Sequence, residues 1–159
     1  MIVIADTSPL NYLVLIEQSE LLPRLYGTLV IPPAVHREML DRRAPSAVRN
    51  WAGALPGWLE VREAGPEVLP FHPKLNAGER EAITLAYGNS GSLLLMDEAL
   101  GRQQARQFGV NVTGTLGILV LAHRRGFVDL PTAVAKLRET SFQASRPLIQ
   151  SVLNSVSDN

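Results

Sequence analysis

At 159 residues, with 46 % hydrophobic and 19 % charged residues, the chain is expected to form one domain over 1–159 with a sizeable core. Lys+Arg and Asp+Glu both total 15, so net charge alone does not identify a nucleic-acid binder. Cysteine is absent, which excludes disulfides, thiol catalysis and thiolate metal sites, and His36, His72 and His123 lack the paired spacing that suits zinc. Any metal is left to oxygen ligands, which suits Mg²⁺ or Mn²⁺. Thirteen of the cations are Arg, the better bidentate phosphate ligand, although GC-rich coding also favours Arg. No leader pattern opens the chain, and no apolar run approaches the roughly 20 residues of a membrane span, so a cytoplasmic protein is expected.

In chain order, Ile2 to Ala5 is a continuous apolar run that reads as a buried central strand. It stops at Asp6-Thr7-Ser8-Pro9. Ser8 is the expected cap of a following helix, with Pro9 at its first position. A second helical piece begins near Glu17 and ends at Gly27, and Thr28–Ile31 is the next buried strand. Pro32-Pro33 starts a helix to Leu40, with Val35 and Met39 inward, Leu40 a further candidate, and Glu38 one turn beyond the strand. Trp58–Arg62 alternates with period two, as a strand near a sheet edge does.

After a Pro- and Gly-rich loop, Asn76 is a candidate cap for a helix carrying Glu79 and Glu81 in its first turn or so. Gly91–Met96 repeats the opening pattern and ends on Asp97-Glu98. A helix follows from Ala99 to Phe108, then a short strand at Val110–Thr113, and an apolar helix over Leu116–Arg125. Asp129-Leu-Pro131 opens another helix, and a last amphipathic segment runs from Arg146 to about Val156. Strands that alternate with helices imply βαβ units and a mostly parallel sheet. The glycine motifs of dinucleotide and P-loop sites are absent.

Each acid alone has an ordinary explanation: Asp6 as a helix cap, Glu38 on a solvated face, Glu79 and Glu81 near a helix N-terminus. Taken together they point elsewhere. Parallel strands end at one edge, where open α/β sheets place their ligands, so Asp6 and Asp97-Glu98 emerge side by side. The helices from Pro32 and near Gly78 start from that edge and bring Glu38 and Glu79 or Glu81 within reach. Gathered carboxylates raise one another's pKa, and a divalent cation offsets the repulsion. Such an ion can activate water against a phosphodiester.

The chain resembles the PIN domains, most closely a prokaryotic branch of unknown function related to toxin nucleases. The stretches that carry the resemblance are Val3–Leu10, Ile31–Glu38, Leu75–Ile83, Leu94–Glu98 and Gly109–Gly117. The resemblance implies a Rossmann-like three-layer α/β/α fold with a mostly parallel sheet of four or five strands. It also implies a Mg²⁺- or Mn²⁺-dependent ribonuclease site. Carried over, Asp6, Glu38 and Asp97 are catalytic acids and metal ligands, with Thr7 or Ser8 holding Asp6 or a water in place. The middle acid and metal ligand is Glu79, which follows the Gly of this branch and is the preferred catalytic acid, or Glu81, which matches the broader family. Glu98, which stands where many relatives carry Asp, is a further expected metal ligand.

A nuclease also needs cations for the RNA backbone. Arg102 and Arg106, one turn apart, and Arg42 and Arg43 after Glu38 are candidates, with a solvated helix face as the plain alternative. Three functions fit. The first is a metal-dependent endoribonuclease, the toxin of a toxin–antitoxin pair whose small antitoxin protein blocks the acidic pocket. The second is a catalytically weak PIN-like binding or regulatory module. The third is a different Mg²⁺-using phosphotransfer or phosphatase domain on a similar sheet, of which an aspartyl-phosphate enzyme would want a second Asp where Ser8 stands. The apolar helix Leu116–Ala122 and the C-terminal segment are the expected face of a homodimer.

Overall fold

Short apolar runs bounded by acids, prolines and glycines give β1 (Val3–Ala5), β2 (Leu29–Ile31), β3 (Leu59–Val61), β4 (Leu93–Leu95) and β5 (Asn111–Thr113). The computed structural model describes residues 1–157. The strands form one sheet in the order β3-β2-β1-β4-β5, every pair parallel. The central strands β1 and β2 are buried along their whole length, as parallel strands covered on both faces must be, whereas Glu60 and Val61 of edge strand β3 are exposed. The edge position expected for Trp58–Arg62 is therefore observed.

The helices are α1 (Thr7–Leu15), α2 (Leu21–Tyr26), α3 (Pro33–Leu40), α4 (Ser46–Ala52), α5 (Ala77–Tyr87), α6 (Ala99–Gln107), α7 (Thr115–Arg124), α8 (Leu130–Leu137) and α9 (Arg146–Ser157). Two cores flank the sheet. Val3, Ala5, Leu29, Ile31 and Leu95 point into the larger one, with side chains from α1 to α4 and α7 to α9. Ile4, Val30 and Leu94 point the other way, into a smaller core closed by α5 and α6. This is the three-layer α/β/α arrangement, and among the described residues no helix is long and apolar enough to cross a membrane.

Several local expectations change. Helix α1 starts at Thr7, because extended backbone at Asp6 (φ −81°, ψ 173°) makes Asp6 the cap residue. Pro9 is then the third helical residue, still within the first turn, where a missing N–H costs nothing. The piece expected from Glu17 shrinks to α2, since Glu17 itself takes φ 60° and breaks the run. Leu40 is 43 % exposed rather than inward. The segment after Pro45 forms α4, which buries only Val48 and Ala52. The face of α7 expected to pair with a second copy is covered by the chain's own α8 and α9, with Ile118, Leu119 and Ala122 fully buried.

Register sets the functional edge. Ala5 lies beside Leu95 and Leu95 beside Thr113, so β1, β4 and β5 end level. Chain order reverses between β1 and β4, and the Asp6 amide ties the two by donating to the Leu95 carbonyl at 2.8 Å. Open α/β sheets bind ligands at such a switch point.

Candidate active site

Asp6 leaves β1 at this switch point and is 3 % exposed. Its backbone caps α1, but its carboxylate makes no capping bond, and Oδ1 is buried without a hydrogen-bond partner. Burial is the main force that raises its pKa from 3.8 to about 8. The nearby Thr7 amide opposes the shift, and Glu79, Glu38 and Asp97 add repulsion. A buried, unpartnered carboxylate oxygen among like charges calls for a proton or a cation.

Glu38 comes from α3, where its Oε2 accepts a 2.6 Å hydrogen bond from the Thr7 hydroxyl. The Thr7 hydroxyl therefore orients Glu38 rather than Asp6 or a water, while the Thr7 amide faces Asp6. Helix α5 approaches closely here because its second residue has no side chain: a Cβ on Gly78 would lie 2.5 Å from Glu38 Oε1.

The two middle acids separate cleanly. Glu79 is 6 % exposed and forms a reciprocal capping box with Asn76: its amide donates to Asn76 Oδ1 at 2.8 Å, and its Oε1 accepts from the Asn76 amide at 3.1 Å. Burial raises its pKa, the Asn76 amide opposes this, and Glu98 and Glu38 add repulsion. Glu81 faces α3 instead. It accepts from the Ala34 amide at 3.1 Å and lies 3.7 Å from Arg37, so it fastens α5 to the N-terminus of α3.

Asp97 follows β4 and is held by one residue that sequence reasoning assigned no role. The Thr115 amide donates to Asp97 Oδ1 and the Thr115 hydroxyl to Oδ2, each at 2.7 Å. Thr115 is fully buried at the start of α7. Burial raises the Asp97 pKa against these two bonds and against Arg102, and Glu98 raises it further. Gly114 keeps this corner open: a Cβ there would stand 2.7 Å from Asp97 Oδ1 and 2.6 Å from Arg102 Nη1. Glu98 is exposed at the start of α6. Ser8 lines a cleft of about 420 Å³ together with Tyr12, Asp97 and Glu98.

Among the cations, Arg102 is half-buried beside Asp97, and Arg106 lies one turn further along α6, exposed. Arg42 and Arg43 are exposed past the end of α3, and Arg43 is already paired with Asp41 at 2.9 Å.

The donor chemistry fits a hard divalent cation: carboxylate oxygens only, one of them buried and unpartnered, several held by neighbouring N–H and O–H groups. The set is not closed, however. Among the described residues, no three Asp, Glu or His side chains are arranged to hold one ion as they stand. Mutual repulsion of the carboxylates favours such opening, and a bound cation would offset it.

A family model for the PIN domain, DUF3368, matches residues 2–158. The chain is a PIN-domain protein. No curated protein and no solved structure matches it. PIN domains are generally nucleases, hydrolases that act on RNA and use divalent ions such as Mg²⁺. The PIN fold and the expected family are thus in place, and the acids quoted for the resemblance all fall within the matched residues.

Proposed function

We propose that this PIN domain is a metal-dependent endoribonuclease that cleaves single-stranded RNA, and that it acts as the toxin of a toxin–antitoxin pair. The observation that carries the reading is Asp6: buried, unpartnered at Oδ1, and electrostatically coupled to Glu38, Glu79 and Asp97. We assign those four residues to a Mg²⁺ or Mn²⁺ ion, with Glu98 at the rim and Glu81 outside the set. When bound, the divalent ion supplies the positive charge that acidifies a water nucleophile and offsets charge on the departing oxygen. The protein's own part is positional. Thr7 holds Glu38, Asn76 holds Glu79 and Thr115 holds both oxygens of Asp97, so each carboxylate keeps its direction while the substrate enters. Burial on the β1 side keeps bulk water from Asp6.

The direct test is cleavage of labelled single-stranded RNA with Mg²⁺ or Mn²⁺, against EDTA and the Asp6→Asn variant. Cutting that needs both the metal and Asp6 supports the assignment, and folded protein that cuts nothing overturns it. The middle acid has its own test. Glu79→Gln is expected to lower the rate at least about 100-fold, more than loss of an orienting partner typically costs. Glu81→Ala should leave the rate within about threefold and lower stability by about 1 kcal/mol, the worth of its hydrogen bond to Ala34.

Arg102 and Arg106 are assigned to the RNA backbone. RNA affinity should fall steeply with salt, and loss of each phosphate contact reduces the slope of log K against log[salt] by about 0.7. Arg102→Ala with Arg106→Ala is therefore expected to flatten the slope by about 1.4. An unchanged slope would remove both from the interface.

The second reading, a catalytically weak binding module, draws on the open arrangement of the acids. It predicts RNA affinity without metal-dependent cutting.

A further inference from the structure

Two clefts meet at Asp97. One, of about 290 Å³, runs between Asp97, Arg102 and Gly114 on the sheet edge and Phe142, Leu148 and Val152 of the returning C-terminal segment. The other is the cleft that holds Ser8 and Glu98. Phe142 and Gln143 line both. Phe142 is fixed there by the edge-to-face contact of Tyr12, at 5.2 Å between ring centres and 85° between planes, and by the 3.1 Å hydrogen bond between Tyr12 Oη and Ser141 Oγ.

The smaller cleft combines charged and apolar side chains. Asp97 and Arg102 line it together with apolar Leu116, Ala144, Val152 and the 49 % exposed Leu148. Two of its lining positions, 114 and 117, have no side chains, and a Cβ on Gly117 would collide with Thr113 Oγ1. Gln143 adds an amide that both donates and accepts. The volume is at the small end of ligand pockets, near about 300 Å³, room for one flat heterocycle and not for a paired duplex.

We infer that this cleft receives one unpaired nucleobase of the RNA strand, next to a phosphate drawn to Arg102. The inference rests on the RNA-directed reading above and adds a selective element to it. Phe142 offers the base an aromatic surface, the aliphatic walls exclude water, and Gln143 meets the base's polar rim. Only a base free of a pairing partner can leave its stack and enter, so the cleft selects single strands.

The test uses two fluorescent hexaribonucleotide probes of equal charge, one with all its bases and one with an abasic ribose at every position, titrated in EDTA so that nothing is cut. Base–aromatic stacking of about 1–3 kcal/mol corresponds to roughly 5- to 150-fold in affinity. Wild type is expected to bind the intact probe at least about tenfold more tightly than the abasic one. Ala144→Leu, which fills the cleft without an aromatic ring, should collapse that gap. Phe142→Ala should collapse it too, and Phe142→Tyr should restore it. Equal affinity for both probes in wild type, or an undiminished gap in Ala144→Leu, would overturn the inference and leave the groove to an apolar protein segment. Cleavage assays run in parallel separate the two readings. Base-dependent binding without cutting would sink the nuclease and keep the cleft, and cutting without a base-dependent gap would do the reverse.

Discussion

Asp6→Asn is expected to abolish metal-dependent cleavage, by at least about 100-fold, and at the same time to stabilise the fold at alkaline pH. The two effects have one cause. In the unfolded chain Asp6 titrates near its ordinary value of 3.8, and in the folded protein near 8. Between those values the folded state holds a proton that the unfolded state has lost, so stability falls as pH rises through the window. Below about pH 4 both states are protonated and there is no penalty. Raising a carboxyl pKa by one costs the ionised form about 1.4 kcal/mol, so at pH 8.5 the wild type is less stable by several kcal/mol than it would be with an uncharged Asn. Without added metal, thermal melts of the two proteins should nearly coincide at pH 4 and separate in favour of Asp6→Asn by at least about 2 kcal/mol at pH 8.5. A variant that is less stable than wild type at pH 8.5 would show that Asp6 is not a strained, repelled carboxylate.

Gly78→Ala is expected to cost at least about tenfold in activity while changing stability by less than about 1 kcal/mol. Alanine in place of a helical glycine ordinarily stabilises by about that amount. Here the new methyl meets Glu38 Oε1 at 2.5 Å and Glu38 Cδ at 3.0 Å. The carboxylate sits at the end of a flexible side chain and can swing away cheaply, but it then loses the Thr7 hydroxyl and its place beside Asp6. Gly88 provides the control, since at the far end of α5 its φ is −72° and a Cβ would be 3.5 Å from its nearest neighbour. Gly88→Ala should leave activity unchanged. A Gly78→Ala protein with full activity would mean that Glu38 does not work from the position it holds here.

Much of the fold was legible because the governing signals are local. Strand β1 and strand β4 are unbroken apolar runs that end in acids, and parallel pairing then brings Asp6 and Asp97 to one edge. The alternation of Trp58–Arg62 marked an edge strand for the same reason. The burial that sets Glu79 apart from Glu81 was also encoded locally, in the spacing from Asn76 to Glu79 that makes a capping box. What stayed hidden depends on contacts between residues far apart in sequence. Thr7 meets Glu38 across 31 positions and Thr115 meets Asp97 across 18, and no periodicity records either distance. Helix α4 escaped notice because seven residues with two buried side chains leave too weak a pattern. The return of Phe142 to the Asp97 edge lies entirely in tertiary packing, as does the covering of α7 by α8 and α9.

The most direct test of the central claim, that the acids around Asp6 form a divalent-cation site, is calorimetric titration of Mn²⁺ into wild type and Asp6→Asn at pH 7, in two buffers of different ionisation enthalpy. Binding to wild type should release about one proton, because Asp6 is largely protonated at that pH before the ion arrives, and Asp6→Asn should lose both the affinity and the proton. Folded wild-type protein that takes up no Mn²⁺, or that binds it equally well without Asp6, would contradict the account.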